Sequence, residues 1–176
     1  RGSAVQKRGT ILILLLGLCL VVYWPLLKYP YVQDDWGVLT LLLRGENWSV
    51  LASEFLPQGQ LMYRPLPWVY FAPMVHFLGA NAFLHHMLAL VLHSCTSFLV
   101  FLTVRQLGQK EPVPALAAFI YLASASIHMD PLIWLVGTYD LAAAFFFFLS
   151  LYLFLQGRSA ISALGFLFGV LCKEAI

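Results

Sequence analysis

The chain has 176 residues, of which 61% are hydrophobic, 15% aromatic and only 10% charged, with a mean hydropathy of +0.84. A soluble domain runs about 45–50% apolar and about 25% charged, so this composition excludes a water-soluble globule and intrinsic disorder alike, and implies an integral membrane protein. Ten Lys/Arg nearly balance eight Asp/Glu, leaving a formal net charge of +2 and no basic patch of the kind nucleic acid requires.

Crossing about 30 Å of hydrocarbon takes roughly 20 apolar residues in a helix. The first candidate is 11–27, uncharged and preceded by Lys7 and Arg8; Tyr23-Trp24-Pro25 offers no small-residue cleavage site, so it is read as a retained helix. The others are 81–104, followed by Arg105 and Lys110, then 112–129, 131–156 and 159–172. The stretch 65–79 is also apolar but carries Pro65, Pro67 and Pro73, which kink or break helices, and is read as an interfacial or re-entrant helix. Cys19, Cys95 and Cys172 each lie inside an apolar run, odd in number, and read as small buried hydrophobes. The fold expected is all-α: a polytopic transmembrane helical bundle of about five spans, one membrane domain over 1–176.

Charge orients the bundle. With the N-terminus inside, Lys7/Arg8, Arg105/Lys110 and Arg158 all fall on the cytoplasmic face, as the positive-inside rule requires. Asp34, Asp35, Glu46, Glu54, Asp130 and Lys173-Glu174 then fall on the opposite face. The long outer loop, 28–80, carries Trp36, Trp48 and Trp68, as suits juxtamembrane helices lying in the interface.

Acidic residues close to hydrocarbon are costly and tend to face a bundle interior or a watery cavity. Asp34-Asp35 stands just past the first span. Adjacent carboxylates suit a general base or a shared divalent cation, or else a solvated helix N-cap. Arg64, in Tyr63-Arg64-Pro65-Leu66, has the shape for phosphate or for snorkelling to the interface. His86 and His93 share a helix face two turns apart, which favours interhelical hydrogen bonds over a shared metal. Asp130-Pro131 has the grammar of a helix start, and Asp140 follows about 15 Å along that helix, where a polar cavity would explain it. Lys173 ends the last apolar run, placed to snorkel or to hold a lipid phosphate.

The order of these motifs resembles the N-terminal membrane half of GT-C superfamily glycosyltransferases, nearest to the transmembrane and tetratricopeptide-repeat O-mannosyltransferases and their bacterial relatives. The likeness runs from the acid pair through Tyr63-Arg64-Pro65-Leu66, Gly79-x-Asn81 with His85/His86 and His93, His128-x-Asp130 and Gly137-x-x-Asp140 to Lys173-Glu174. The resemblance implies a membrane glycosyltransferase that moves a sugar from a polyprenyl-phosphate donor, dolichyl phosphate mannose in the mannosyltransferases, to a protein or glycan acceptor. It places this chemistry on the non-cytoplasmic face of the endoplasmic reticulum or the bacterial inner membrane. It maps the base to Asp34 with Asp35 beside it, the donor phosphate to Arg64 and Lys173, and the substrate cavity to Tyr63, His93, His128, Asp130, Asp140 and Glu174. No metal is assigned beyond a divalent cation that the Asp34/Asp35 pair would accommodate. Two motifs depart from the family pattern: Ser124-Ala125-Ser126-Ile127-His128-Met129-Asp130 stands for His-Pro-x-His-x-Glu, and Gly137-Thr138-Tyr139-Asp140 for Gly-Arg-x-Asp. The family continues through further helices after Lys-Glu, so the chain is expected to be the N-terminal part of a longer module.

The chemistry fits the residues themselves. Attack at an anomeric carbon needs a carboxylate to take the acceptor proton and cations to stabilise the departing phosphate. A single base implies inversion. The alternative from another class is a transporter or lipid-handling protein whose buried acids and histidines bind protons or substrate; the clustering of acids at one face rather than the midplane, with no inverted repeat, weighs against it.

Overall fold

The computed structural model describes residues 2–44, 47–56, 63–124 and 130–173, and these are helical with no strand among them. Helix α1 (Gly2–Tyr23) runs into a 3-10 helix (Trp24–Lys28), where Pro25 occupies the early position at which its missing N–H costs nothing. Then come α2 (Asp35–Leu43), α3 (Asn47–Glu54), α4 (Leu66–Leu78), α5 (Ala82–Gln106), α6 (Val113–Ala123), a single turn over 130–133, α7 (Thr138–Leu155) and α8 (Ser159–Cys172). Three stretches are long and apolar enough to cross a bilayer: Arg8–Lys28, Ala82–Gln106 and Thr138–Leu155.

Helix α5 is the centre of the bundle, packing against α1, α6 and α7, while α8 pairs with α7. Its start is specified locally: Gly79 takes φ +62° to end α4, and the Asn81 side chain then accepts the Leu84 N–H at 3.2 Å. Its buried face carries polar groups whose partners are mostly carbonyls. Ser94 and Thr96 bond back to Leu90 and Leu92, and Ser97 donates to Ala118 of α6 at 2.7 Å. The first two bonds stay within α5, while the Ser97 bond ties α5 to α6 through a short polar side chain that lets the helices pack closely. Ser150 of α7 and Ser162 of α8 exchange bonds with each other's carbonyls at 2.8 Å in the same way. On the outside the bundle is greasy: Ile13 and Val21 are 70% and 76% exposed, and Leu116, Phe119, Ile120, Leu164 and Phe166 face outward too.

Two apolar clusters divide the molecule. One joins α1, the 3-10 helix, α5, α6, Leu132 and Leu141. The second joins Tyr31 from the segment before α2, Leu39 and Leu42 of α2, Trp68, Phe71, Ala72, Met74 and Val75 of α4, and Leu135. In α4 the residues Trp68, Phe71, Ala72 and Val75 recur at helical spacing, so one stripe of this 13-residue helix is buried although Pro73 interrupts its ladder. The segment 65–79 is thus a short helix docked on α2 and α3.

Two expectations need correction. The apolar run 131–156 is not one helix: the turn over 130–133 stops, 134–137 forms a break, and α7 begins at Thr138. Asp140 therefore sits in the first turn of α7, not about 15 Å down a continuous helix. The helix expected over 112–129 ends at Ala123, and 125–129 fall outside the described residues.

Candidate functional site

Contacts fix the direction of the helices. The Tyr29 carbonyl lies against His86 and Cys19 against the Leu90 carbonyl, so α1 runs antiparallel to α5. Gln106 reaches the Leu155 carbonyl, bringing the C-terminal ends of α5 and α7 together. Arg8, Arg105, Lys110 and Arg158 consequently gather at one end of the bundle. The acid pair, Arg64, Asp130, Asp140 and Lys173 gather at the other.

At that second end the two adjacent aspartates have different fates. Asp34 precedes α2, is exposed, and caps the helix through its backbone carbonyl rather than its side chain. Asp35, in the first turn, is only 1% exposed. Its Oδ2 accepts the Val32 N–H and its Oδ1 the Val136 N–H, both at 3.1 Å. Beside it the Tyr31 hydroxyl lies 2.6 Å from His85 Nδ1. Burial, with the Asp35 carboxylate nearby, pushes the Tyr31 phenol well above its ordinary range, so it stays a neutral hydrogen-bonding group.

The cations converge on the start of α7. The Arg64 guanidinium stands 5.7 Å from the centre of the Tyr139 ring, within reach of a cation–π contact. The Lys173 ammonium, at the end of α8, donates to Asp140 Oδ1. Tyr139 and Asp140 are neighbours, so two cations distant in sequence meet consecutive residues. Glu54 of α3 also bears on Tyr139 electrostatically; burial raises its carboxyl, partly offset by a hydrogen bond from Trp68.

Other residues singled out from the sequence are placed as follows. Tyr63 is exposed and its hydroxyl donates to the Phe55 carbonyl at 3.1 Å. His86 has its ring nitrogens 3.2 Å from the Leu132 and Tyr29 carbonyls. His93 is fully buried, 3.1 Å from the Leu122 carbonyl and against the rings of Tyr23 and Tyr121, so both histidines tie helices together as their spacing suggested. Asp130 is exposed at the start of its turn, and its carbonyl accepts the Trp134 N–H. His128 and Glu174 lie outside the described residues. Neither Tyr139 nor the Val136 amide stood out from the sequence: an aromatic and a backbone N–H within an apolar stretch carry no local signal.

As a cation site the acid pair is poorly furnished. Both Asp35 oxygens already take backbone amides, and among the described residues no group of three or more His, Cys, Asp or Glu converges. A divalent ion there would depend on Asp34 and solvent.

Comparison with protein-family models, with curated proteins and with solved structures finds no match, so the likeness to GT-C glycosyltransferases stands on the motifs alone.

Proposed function

We propose that the protein is a membrane glycosyltransferase using a polyprenyl-phosphate sugar, with its site at the end of the bundle that carries the acid pair. The observation that carries the reading is the convergence of Arg64 and Lys173 on Tyr139 and Asp140, at the same end as an exposed carboxylate. Asp34 takes the proton of an acceptor hydroxyl or amine as that atom bonds to the anomeric carbon. The bond from that carbon to the phosphate oxygen breaks, and the polyprenyl phosphate leaves with its charge on Arg64 and Lys173. Attack opposite the leaving group inverts the anomeric carbon. Lys173 exchanges Asp140 for phosphate oxygens as the donor binds, before the bond to the phosphate oxygen breaks.

The reading includes five membrane passes, with the cationic end cytoplasmic. The lengths of α6 and α8, 11 and 14 residues, give only about 16 and 21 Å at 1.5 Å per residue. Their outward Leu, Ile and Phe side chains nevertheless suit lipid contact beside the longer helices. Irregular backbone at the site end is tolerable where it lines a polar cavity.

The test uses the protein in membranes, with polyprenyl-phosphate sugars as donors and polyprenyl phosphate as the binding probe. Asp34→Asn keeps size and hydrogen bonding but cannot accept the proton, so turnover should fall about 10²–10⁴-fold with probe affinity little changed. Charge reversal at Arg64 or Lys173 should weaken probe binding instead. Near wild-type turnover in Asp34→Asn would remove the proposed base.

A further inference from the structure

Asp35 is an unusual residue to bury, and its two bonds lead to different parts of the chain. Val32, whose N–H meets Oδ2, belongs to the segment leading from the first helix into α2. Val136, whose N–H meets Oδ1, lies 101 residues further on, in the break before α7. That break delivers Tyr139 and Asp140, the residues met by Arg64 and Lys173. An amide in such a break has no helical ladder to join, and a carboxylate is the strongest acceptor a side chain can offer it. The break is held on two further sides. Leu135 packs into the cluster of Leu39, Leu42, Trp68 and Phe71, and Gly137 closes directly onto Pro131.

We propose that Asp35 is a positioning residue: its carboxylate brackets the segment that precedes α2 to the segment that precedes α7, and so sets Asp34 relative to the cations that hold the donor phosphate. The role rests on the functional reading above and divides the acid pair between two tasks. Asp34 exchanges a proton; Asp35 holds geometry and takes no part in proton transfer. An aspartate suits the bracket because it has two acceptor oxygens for two donors. Asparagine would turn an N–H₂ towards one of those amides and leave that amide without a partner.

Amide hydrogen exchange of the membrane-embedded protein tests the bracket without any donor. In Asp35→Asn, exchange over 32–38 and 134–140 should rise about tenfold or more, as expected for losing a bond to a charged acceptor, with protection along α5 unchanged. Asp34→Asn should change neither segment. Binding of polyprenyl phosphate should weaken in Asp35→Asn and hold in Asp34→Asn. The residual turnover of Asp35→Asn should keep the wild-type acidic limb of its pH–rate profile, which Asp34→Asn abolishes. Should Asp35→Asn lose protection along α5 as well, Asp35→Glu carries the test: with both oxygens kept, it should show partial protection and partial binding.

Wild-type exchange at both segments in Asp35→Asn would overturn the bracket. Raised exchange with unchanged polyprenyl-phosphate binding would overturn the positioning role. Failure of the wild-type protein to bind polyprenyl phosphate would overturn the functional reading and the positioning role together, while the exchange measurement would still decide whether the bracket exists.

Discussion

Consecutive residues entering a helix point about 100° apart, and for Asp34, just before α2, and Asp35, in its first turn, that angle separates solvent from core. The same geometry explains why the pair could be recognised from the sequence but not divided into roles: whichever carboxylate turns inward depends on where Val136 arrives. Glu54 shows a second outcome for an outer-loop acid. Its half-buried carboxyl lies against Trp68, and loss of hydration raises its pKa from the ordinary 4.5. A raised folded-state pKa means the folded protein binds the proton more tightly than the unfolded chain. The stabilisation is therefore complete at low pH and is lost as pH rises through the shifted value. Wild-type thermal stability should consequently fall relative to Glu54→Gln between mildly acidic and neutral pH. Parallel unfolding curves for the two proteins across that interval would contradict this assignment.

At the scale of elements, the break between 133 and 138 decides where the site residues stand. The Ile133-Trp134-Leu135-Val136 run is as apolar as the helices around it, so hydropathy reads straight through it. Thr138 closes the break by bonding to the Leu135 carbonyl through both its N–H and its hydroxyl. Gly137 is the local clue: a Cβ there would lie 2.6 Å from Pro131 Cα and 2.9 Å from its carbonyl oxygen. Backbone cannot yield as a flexible side chain does. Gly137→Ala should destabilise the protein by about 1–3 kcal/mol, read as a lower Tm, and, under the proposed function, should weaken polyprenyl-phosphate binding by displacing Tyr139 and Asp140. Gly165 provides the control. Its added Cβ would meet Ser150 at 3.4 Å, and alanine gains about 1 kcal/mol of helix propensity over glycine, so Gly165→Ala should be neutral or stabilising. Equal losses from the two substitutions would remove the special role of the break.

Among the described residues Arg8, Arg105, Lys110 and Arg158 stand at one end of the bundle and the acid pair, Asp130 and Asp140 at the other, and the antiparallel course of α1 and α5 is what separates them. Under the five-pass reading, a cysteine at Ser53 should be labelled by an impermeant reagent from outside and one at Ser159 from the cytoplasm. The native cysteines allow the experiment, since Cys19 and Cys172 are buried and Cys95 is partly so. Cytoplasmic labelling at position 53 would reverse or redraw the topology.

Composition alone determined that this chain builds apolar helices, because the cost of placing side chains in water or hydrocarbon sums along the sequence without reference to neighbours. Local rules likewise marked the start of α5 at Asn81, the interrupted character of α4, and the cationic and acidic ends. Only the tertiary structure decided that Asp35 rather than Asp34 is buried, that the 131–156 run breaks before Thr138, and that Arg64 and Lys173 meet adjacent residues. Each of these depends on a contact between segments far apart in the chain. Hydropathy and helical spacing register a residue's own nature and that of its near neighbours. They carry no record of which distant amide or carboxylate packing will bring alongside.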